Sequence, residues 1–293
     1  MAVTKSLALT SLFPKTVQDS KALLDVLNHL DGMGFGMVEF YTEPGMDEAI
    51  AALLKACGFK SILIAVLPLK AAGPSLCAVD EAERQAAQTT LRACIDRAAA
   101  LGCQSVMVNS GFLPKEAGLL SAACHAYSRS IDDAFAYISS KGYPLGITLE
   151  PGDSCVQSFQ LLGPTNRVLE TTQPLSNRHP AYTLTMDVAH LIEEGEAVMH
   201  ALRACLPWCS HVHLCNCVMD DPADPMYGDK HVDFDWPGAS LTYADFQALF
   251  QELVALYGER DWTVTLEITC RAEDNIAWFD EVVRRCHFLW QTK

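Results

Sequence analysis

The chain has 293 residues, half of them hydrophobic, and its 36 acidic residues outnumber its 21 basic residues, for a formal net charge of −15. This apolar content excludes a disordered chain. The negative charge argues against a nucleic-acid partner, because no Lys/Arg-rich run offsets it. A neutral or weakly charged small molecule is the expected substrate.

The N-terminal residues lack the apolar core and cleavage site of a signal peptide, and no later run approaches the length of a transmembrane helix. The 12 cysteines contain neither a CxxC pair nor a four-ligand zinc spacing. The sequence therefore predicts a reduced, cytoplasmic protein with no membrane partner.

Strand and helix patterns alternate along the whole chain. The predicted strands are SLALT (6–10), GMVEFY (36–41), SILIAVL (61–67), SVMVN (105–109), LGITLE (145–150), YTLTMD (182–187), HVHLC (211–215) and TVTLEI (263–268). The predicted helices cover 18–31, 46–57, 80–101, 117–140, 191–205, 241–257 and 272–291. Residues 153–180 interrupt the alternation, with a short helix predicted at 154–161 and then a loop rich in Pro, Asn and Thr.

Eight strands separated by helices indicate a parallel α/β architecture. Many of the strands are continuously apolar, which is typical of a sheet covered on both faces. Each strand–helix unit averages roughly 37 residues and no linker divides the chain, so we predict a single-domain (β/α)8 TIM barrel over residues 1–293. An open doubly wound sheet is the alternative, but SLFPKT is not the Gly-rich turn that it would need after the first strand.

Four polar residues stand at the ends of predicted strands. They are Glu150 after LGITL, Asp187 after YTLTM, His213 in HVHL and Glu267 after TVTL. Because the carboxyl ends of the strands of a barrel meet at one rim, we expect these side chains to converge. Three carboxylates and one imidazole predict a divalent-metal site with oxygen-rich coordination.

Each of these residues also has a purely structural interpretation. Glu150 can be a salt-bridged rim residue, and Asp187 can cap the helix that follows it. His190, three residues after Asp187 at the same strand-to-helix turn, favours a pair of metal ligands. Glu267 lies in an otherwise apolar strand, where an unpaired carboxylate is costly, so we expect it to have a cationic or metal partner.

Two further positions lie inside predicted strands. His211 and His213 alternate with apolar residues, so both imidazoles should point to the same side, into the barrel. Glu39 in MVEFY raises the same problem as Glu267, and it either binds substrate hydroxyls or pairs with a basic residue such as Arg271.

The longest loop, residues 217–240, follows the seventh strand, where barrel enzymes commonly carry functional residues. It contains Asp229 and His231, which form either an exposed pair or part of the site. It also contains Trp236, which either offers its face to a sugar ring or packs on the core.

In their order and spacing, the motifs ITLEP, DVAH, HVHL, DKH and TLE resemble the xylose-isomerase-like barrels, a superfamily that includes sugar isomerases, ketose 3-epimerases, inosose dehydratases and endonuclease IV. The resemblance spans nearly the whole barrel from Glu39 onward. It implies one divalent ion, Mn²⁺ in the first place, with Mg²⁺, Co²⁺ or Zn²⁺ as alternatives. The ligands that it implies are Glu150, Asp187, His213 and Glu267.

The sequence departs from two branches of that superfamily. The trinuclear site of the nuclease branch needs histidines where this chain has Leu67-Pro68 and Asn109, although His190, Asp229 and His231 match its additional-metal positions and leave a second ion open. The segment LCNCVMD lacks the Arg that ketose 3-epimerases often carry shortly after the seventh-strand His.

The resemblance implies an isomerase or epimerase that acts on a small carbohydrate or keto-sugar by proton transfer through a metal-stabilised enediolate. Glu150 and Glu267 would pass the proton, with His190 as a third catalytic residue. From the residues themselves, we expect the substrate to be bound by Glu39, His211, His231, Trp236 and Arg271.

Three alternatives stay open at this point. One is a lyase or dehydratase of an oxidised sugar or cyclitol, including C-glycoside cleavage, because the same enediolate can expel a leaving group. Another is a phosphodiesterase of the endonuclease IV type, which the negative charge disfavours. The last is a non-enzymatic scaffold, which the intact set of buried charges disfavours. The apolar segment 200–209 leaves a homo-oligomer open.

Overall fold

The computed structural model describes residues 3–273 and 275–286. Its eight strands form a closed parallel barrel in which each strand lies beside the next in sequence and the eighth lies beside the first. Strands β1 to β8 are Val3–Ala8, Met37–Phe40, Lys60–Ile64, Ser105–Val108, Gly146–Leu149, Tyr182–Asp187, Cys209–Leu214 and Trp262–Leu266. The predicted (β/α)8 fold is thereby confirmed.

Helices follow the strands. Helices α1 to α11 are Leu9–Leu12, Ser20–Leu30, Asp47–Cys57, Val66–Ala72, Glu81–Leu101, Leu120–Lys141, Thr165–Arg178, Val188–Glu193, Val198–Cys205, Tyr243–Tyr257 and Asn275–Arg285. Short 3₁₀ helices cover Pro14–Val17 and Ala117–Leu119. Within the described part of the chain, none of these helices has the length and apolarity that crossing a bilayer requires.

The chain divides into two compact units, and the first consists of residues 1–61 and 211–293. In it, β1 pairs in parallel with β2 and with β8, and β7 pairs with β8. The register sets Ala8 beside Glu39 and His213 beside Thr265. Ser6 also lies beside Thr265, so polar residues of the neighbouring strands β7, β8 and β1 are adjacent in register.

The second unit, residues 62–210, contains most of β3 and the strands β4 to β6. Strand β4 pairs with β3 and β5, and β5 pairs with β6. Its strands are buried, and hydroxyl pairs link its elements: Thr148 Oγ1 lies 2.8 Å from Thr185 Oγ1, and the Tyr127 and Tyr182 hydroxyls are 3.0 Å apart.

Residues 153–180 differ from the prediction. The segment 154–161 is not a helix, because the Asp153 carboxylate accepts hydrogen bonds from the backbone N–H groups of residues 155 to 158 and holds a tight turn. The predicted loop contains helix α7 instead. This helix is rich in Thr and Asn and contains Pro174, so helix propensity does not predict it. Val168 and Leu175 of the helix are fully buried.

Smaller differences concern boundaries. Strand β1 begins and ends earlier than predicted, and β3 stops at Ile64 before α4. The predicted helix 191–205 is two helices, α8 and α9, separated by a turn at Gly195 with φ +74°. Of the last predicted helix, α11 covers Asn275–Arg285, while residues 274 and 287–291 lie outside the described residues.

Candidate functional site

The histidines of β7 face the same side of the strand, as alternation requires. His211 and His213 are both buried, with 6% and 1% exposure. Their ring centroids lie 5.1 Å apart in an edge-to-face arrangement. Two imidazoles in contact need polar partners on both sides, and Glu39 and Glu267 provide them.

Glu39 of β2 is fully buried and lies against both imidazoles. Its Oε2 lies 2.9 Å from His213 Nε2, and its Oε1 lies 2.9 Å from His211 Nε2. The hydroxyls of Ser6 and Thr265 donate to the same Oε1. Burial by itself would raise the pKa of Glu39, but the positive charges and hydrogen bonds of His213 and His211 outweigh it and hold that pKa well below its usual range.

Glu267 follows the last residue of β8 and has a second set of partners. Its Oε2 lies 2.6 Å from His213 Nδ1, and its Oε1 accepts a hydrogen bond of 3.0 Å from Ser11 Oγ. His231 Nδ1 lies 3.5 Å from Oε1. Burial opposes ionisation here as well, yet the charges of His231 and His213 lower the pKa of Glu267 well below its ordinary value. His213 and His231 are therefore the side-chain nitrogens nearest to this buried carboxylate, for which a cationic or metal partner is predicted.

His231 is held in an unusual conformation within the long loop. Its φ of +43° lies in the left-handed region, which is costly for a residue with a Cβ. The residue is 8% exposed, and its Nε2 lies 2.9 Å from Asp229 Oδ1. Backbone hydrogen bonds from Thr269 N to His231 O and from Val232 N to Asn216 O keep the residue in place. Strain maintained by its surroundings is common at functional sites.

Arg271 is not the partner of Glu39. It is exposed in the loop after β8, whereas Glu39 is inside the barrel. Its guanidinium donates to the carbonyl oxygens of Thr269 and Lys230 at 2.9 and 2.6 Å and lies over the ring of Trp236, 5.6 Å from the centroid. Arg271 and Trp236 therefore brace the loop that carries His231.

The second unit positions Asp187, His190 and Glu150. Asp187 ends β6 and is buried, and its Oδ1 accepts a 2.9 Å hydrogen bond from His190 N, which caps helix α8. The expected cap is therefore present. It uses one carboxylate oxygen, so capping and metal binding by Asp187 are compatible.

His190 is oriented by the backbone. Its Nδ1 lies 2.9 Å from Pro151 O and 3.8 Å from Asp187 Oδ1. Since a carbonyl only accepts, the proton is on Nδ1, and Nε2 is the acceptor nitrogen of the neutral ring. Glu150 is half-buried directly after β5, next to Pro151.

The donor chemistry of these residues suits a divalent ion. In the first unit, Glu39, His211 and His213 offer ligand atoms within 4.8 Å of one another. However, Ser6, Thr265 and the two imidazoles already occupy the Glu39 oxygens. Carboxylate oxygens together with one imidazole nitrogen, as Glu267 and His213 provide, match Mn²⁺, Mg²⁺, Co²⁺ or Zn²⁺.

Sequence reasoning missed Ser6, Ser11 and Thr265. The two hydroxyl residues in strands, Ser6 and Thr265, are fully buried and contact Glu39. A polar residue within an apolar strand is the available signal, but hydroxyl side chains are common in strands and the signal is weak.

Comparisons with known proteins agree with this architecture. Residues 28–286 match the model of a protein family described as the xylose isomerase-like TIM barrel. No curated protein sequence matches the chain significantly.

Solved structures superpose on nearly the whole chain. A D-tagatose 3-epimerase-like protein has a TM-score of 0.72 at 14% identity, covering 98% of this chain and 97% of its own. An L-ribulose 3-epimerase has 0.68 at 18% identity, covering 100% and 99%. The IOLI protein, solved with a zinc atom, has 0.70 at 12% identity, covering 99% and 100%. At these identities the likeness establishes the fold alone.

Proposed function

Because the chain belongs to the xylose isomerase-like TIM barrel family, we propose that it is a divalent-metal-dependent isomerase or epimerase of a small carbohydrate such as a keto-sugar. The observation that carries this proposal is the placement of His213, with one ring nitrogen on the buried Glu39 and the other on Glu267. Epimerases among the similar structures support the same reaction class.

The proposed ligands of the ion are Glu150, Asp187, His213 and Glu267, because carboxylate oxygens and one imidazole nitrogen are the donors that such an ion takes. Mn²⁺ is the preferred ion because oxygen ligands predominate, and Mg²⁺, Co²⁺ or Zn²⁺ fit the same donors. When bound, the ion would act as a Lewis acid toward the carbonyl oxygen of the substrate. The zinc atom bound by the IOLI protein, which has the same fold, supports a divalent ion in this chain.

The proton transfer is assigned to the carboxylates of Glu150 and Glu267. One removes the proton from the carbon beside the carbonyl, and the other returns a proton, on the opposite face in an epimerisation. His190, with an acceptor Nε2, orients or deprotonates a substrate hydroxyl. His231 and Trp236, on the loop that Arg271 holds in place, contact the sugar. Glu39 and His211 are buried and contact His213.

The proposal is tested by proton exchange in D₂O. Protein reconstituted with Mn²⁺ is incubated with a panel of keto-sugars, and NMR follows the loss of the signal of the hydrogen beside the carbonyl. We expect exchange and an epimeric or isomeric product with at least one substrate. An unsaturated or cleaved product would replace this reaction by a lyase or dehydratase reaction.

A matched pair of variants links any exchange to the site. Glu267→Gln should abolish exchange, whereas Glu48→Gln, the same change at an exposed position on α3, should leave it intact. Protein that retains no divalent ion after reconstitution and gel filtration would refute the proposal without reference to any substrate.

A further inference from the structure

The buried carboxylate of Glu39 has donors on both of its oxygens. Oε1 faces three of them, the hydroxyls of Ser6 and Thr265 and the Nε2 of His211. Oε2 faces His213 Nε2 at 2.9 Å. With Oε1 held from three directions, the carboxylate has one orientation, and Oε2 is an acceptor fixed against the ring of His213.

This fixed acceptor determines which nitrogen of His213 carries the proton. A carboxylate that faces Nε2 requires N–H at that atom. The other nitrogen, Nδ1, lies 2.6 Å from Glu267 Oε2, on the side of the proposed ligands. In the metal-free protein Nδ1 and Glu267 share a second proton, and a metal ion would displace that proton and bind the Nδ1 lone pair while Nε2 keeps its N–H.

We infer that Glu39 is a positioning residue, which holds the proton on His213 Nε2 so that Nδ1 is the metal-binding atom. The presence of an ion rests on the proposed function, whereas the position of the proton on Nε2 does not depend on any ion. A carboxylate behind a histidine ligand fixes the orientation and tautomer of the ring and increases its basicity. His211 and Thr265 would in turn hold Glu39.

Glu39→Gln gives a specific expectation, because an amide has one acceptor end. The three donors on the Oε1 side favour the amide oxygen there, which turns the NH₂ group toward His213 Nε2. That nitrogen must then accept, and the proton moves to Nδ1. With its only proton on Nδ1, the ring presents an N–H instead of a lone pair to the metal, and metal binding would weaken by about 10–100-fold.

The first measurement uses protein labelled with ¹⁵N-histidine, both metal-free and with Zn²⁺, with the His213 signals assigned by their loss in His213→Asn. We expect a protonated Nε2 in the wild-type protein in both states and an unprotonated Nε2 in Glu39→Gln. A wild-type spectrum with unprotonated Nε2 would overturn the inference, even if the variant did not fold.

The second measurement is Mn²⁺ affinity by calorimetry. Glu39→Gln should bind about 10–100-fold more weakly than wild type. The matched control is Glu48→Gln, the same change at an exposed position on α3, which should change neither tautomer nor affinity. Equal affinity and an unchanged tautomer in Glu39→Gln would overturn the inference while leaving the proposed function intact. Wild-type protein that binds no Mn²⁺ would refute the proposed function, and the nitrogen spectra would still decide where the proton lies.

Discussion

Nδ1 of His213, in β7, lies 2.6 Å from Oε2 of Glu267, which directly follows β8, and both residues are largely buried. The contact exists because β7 and β8 are paired in register, with His213 beside Thr265, two residues before Glu267. An imidazole and a carboxylate so close can share a proton in the metal-free protein or act together as ligands. The predictions below separate these roles.

Glu267→Gln keeps the size of the side chain but removes its charge. We expect activity to fall by at least about 100-fold, since a proton-transfer group is lost. Mn²⁺ retention, measured by mass spectrometry, should also decrease, while the circular dichroism spectrum stays that of a folded barrel. Full activity on an identified substrate would show that the metal-site interpretation is wrong.

Asp187 can be tested for its two roles separately. Asparagine caps a helix about as well as aspartate, whereas alanine does not. Asp187→Asn should therefore lose Mn²⁺ binding but keep its stability in urea, while Asp187→Ala should lose Mn²⁺ binding and about 1 kcal/mol of stability. If Asp187→Asn binds Mn²⁺ like wild type, Asp187 has only the capping role.

His231 combines a polar contact with a strained backbone. His231→Ala and His231→Gly both remove the imidazole, but only glycine accepts φ +43° without cost. The glycine variant should be more stable than the alanine variant by about 1 kcal/mol. Both should lose activity by about 100-fold with unchanged metal content. Loss of one metal equivalent would instead identify His231 as a ligand.

The carboxylates of Glu39 and Glu267 predict how the stability of the metal-free protein depends on pH. Their pKa values are lower in the folded than in the unfolded chain. The stabilisation is therefore complete above the ordinary glutamate pKa of about 4.3 and is lost as the pH falls below it. Urea unfolding between pH 7 and pH 3 should show this loss. Glu39→Gln should reduce the slope by up to about 1.4 kcal/mol per pH unit, the contribution of one proton. An equal slope in both proteins would contradict the lowered pKa of Glu39.

The barrel was predictable from the sequence because its strands are short apolar runs with helices between them, and a polar residue directly after such a run is conspicuous. Glu150 and Glu267 stand out for this reason. Helix α7 was not predictable, because burial of Val168 and Leu175 outweighs the low helix propensity of its other residues. The contacts of Ser6 and Thr265 with Glu39 were not predictable either, because they depend on the register of neighbouring strands.

The base of the long loop is closed by a single buried amide. Asn216 donates to Leu241 O at 2.7 Å and accepts from the backbone N–H groups of Cys217 and Leu241, so it ties together both ends of residues 217–240. Ser240 N also donates to Cys217 O. These hydrogen bonds hold the two ends of the loop together. Residues 220–225 are largely exposed and are the natural segment to randomise when altering substrate preference, whereas Val232 and Phe234 of the same loop are buried and should be kept.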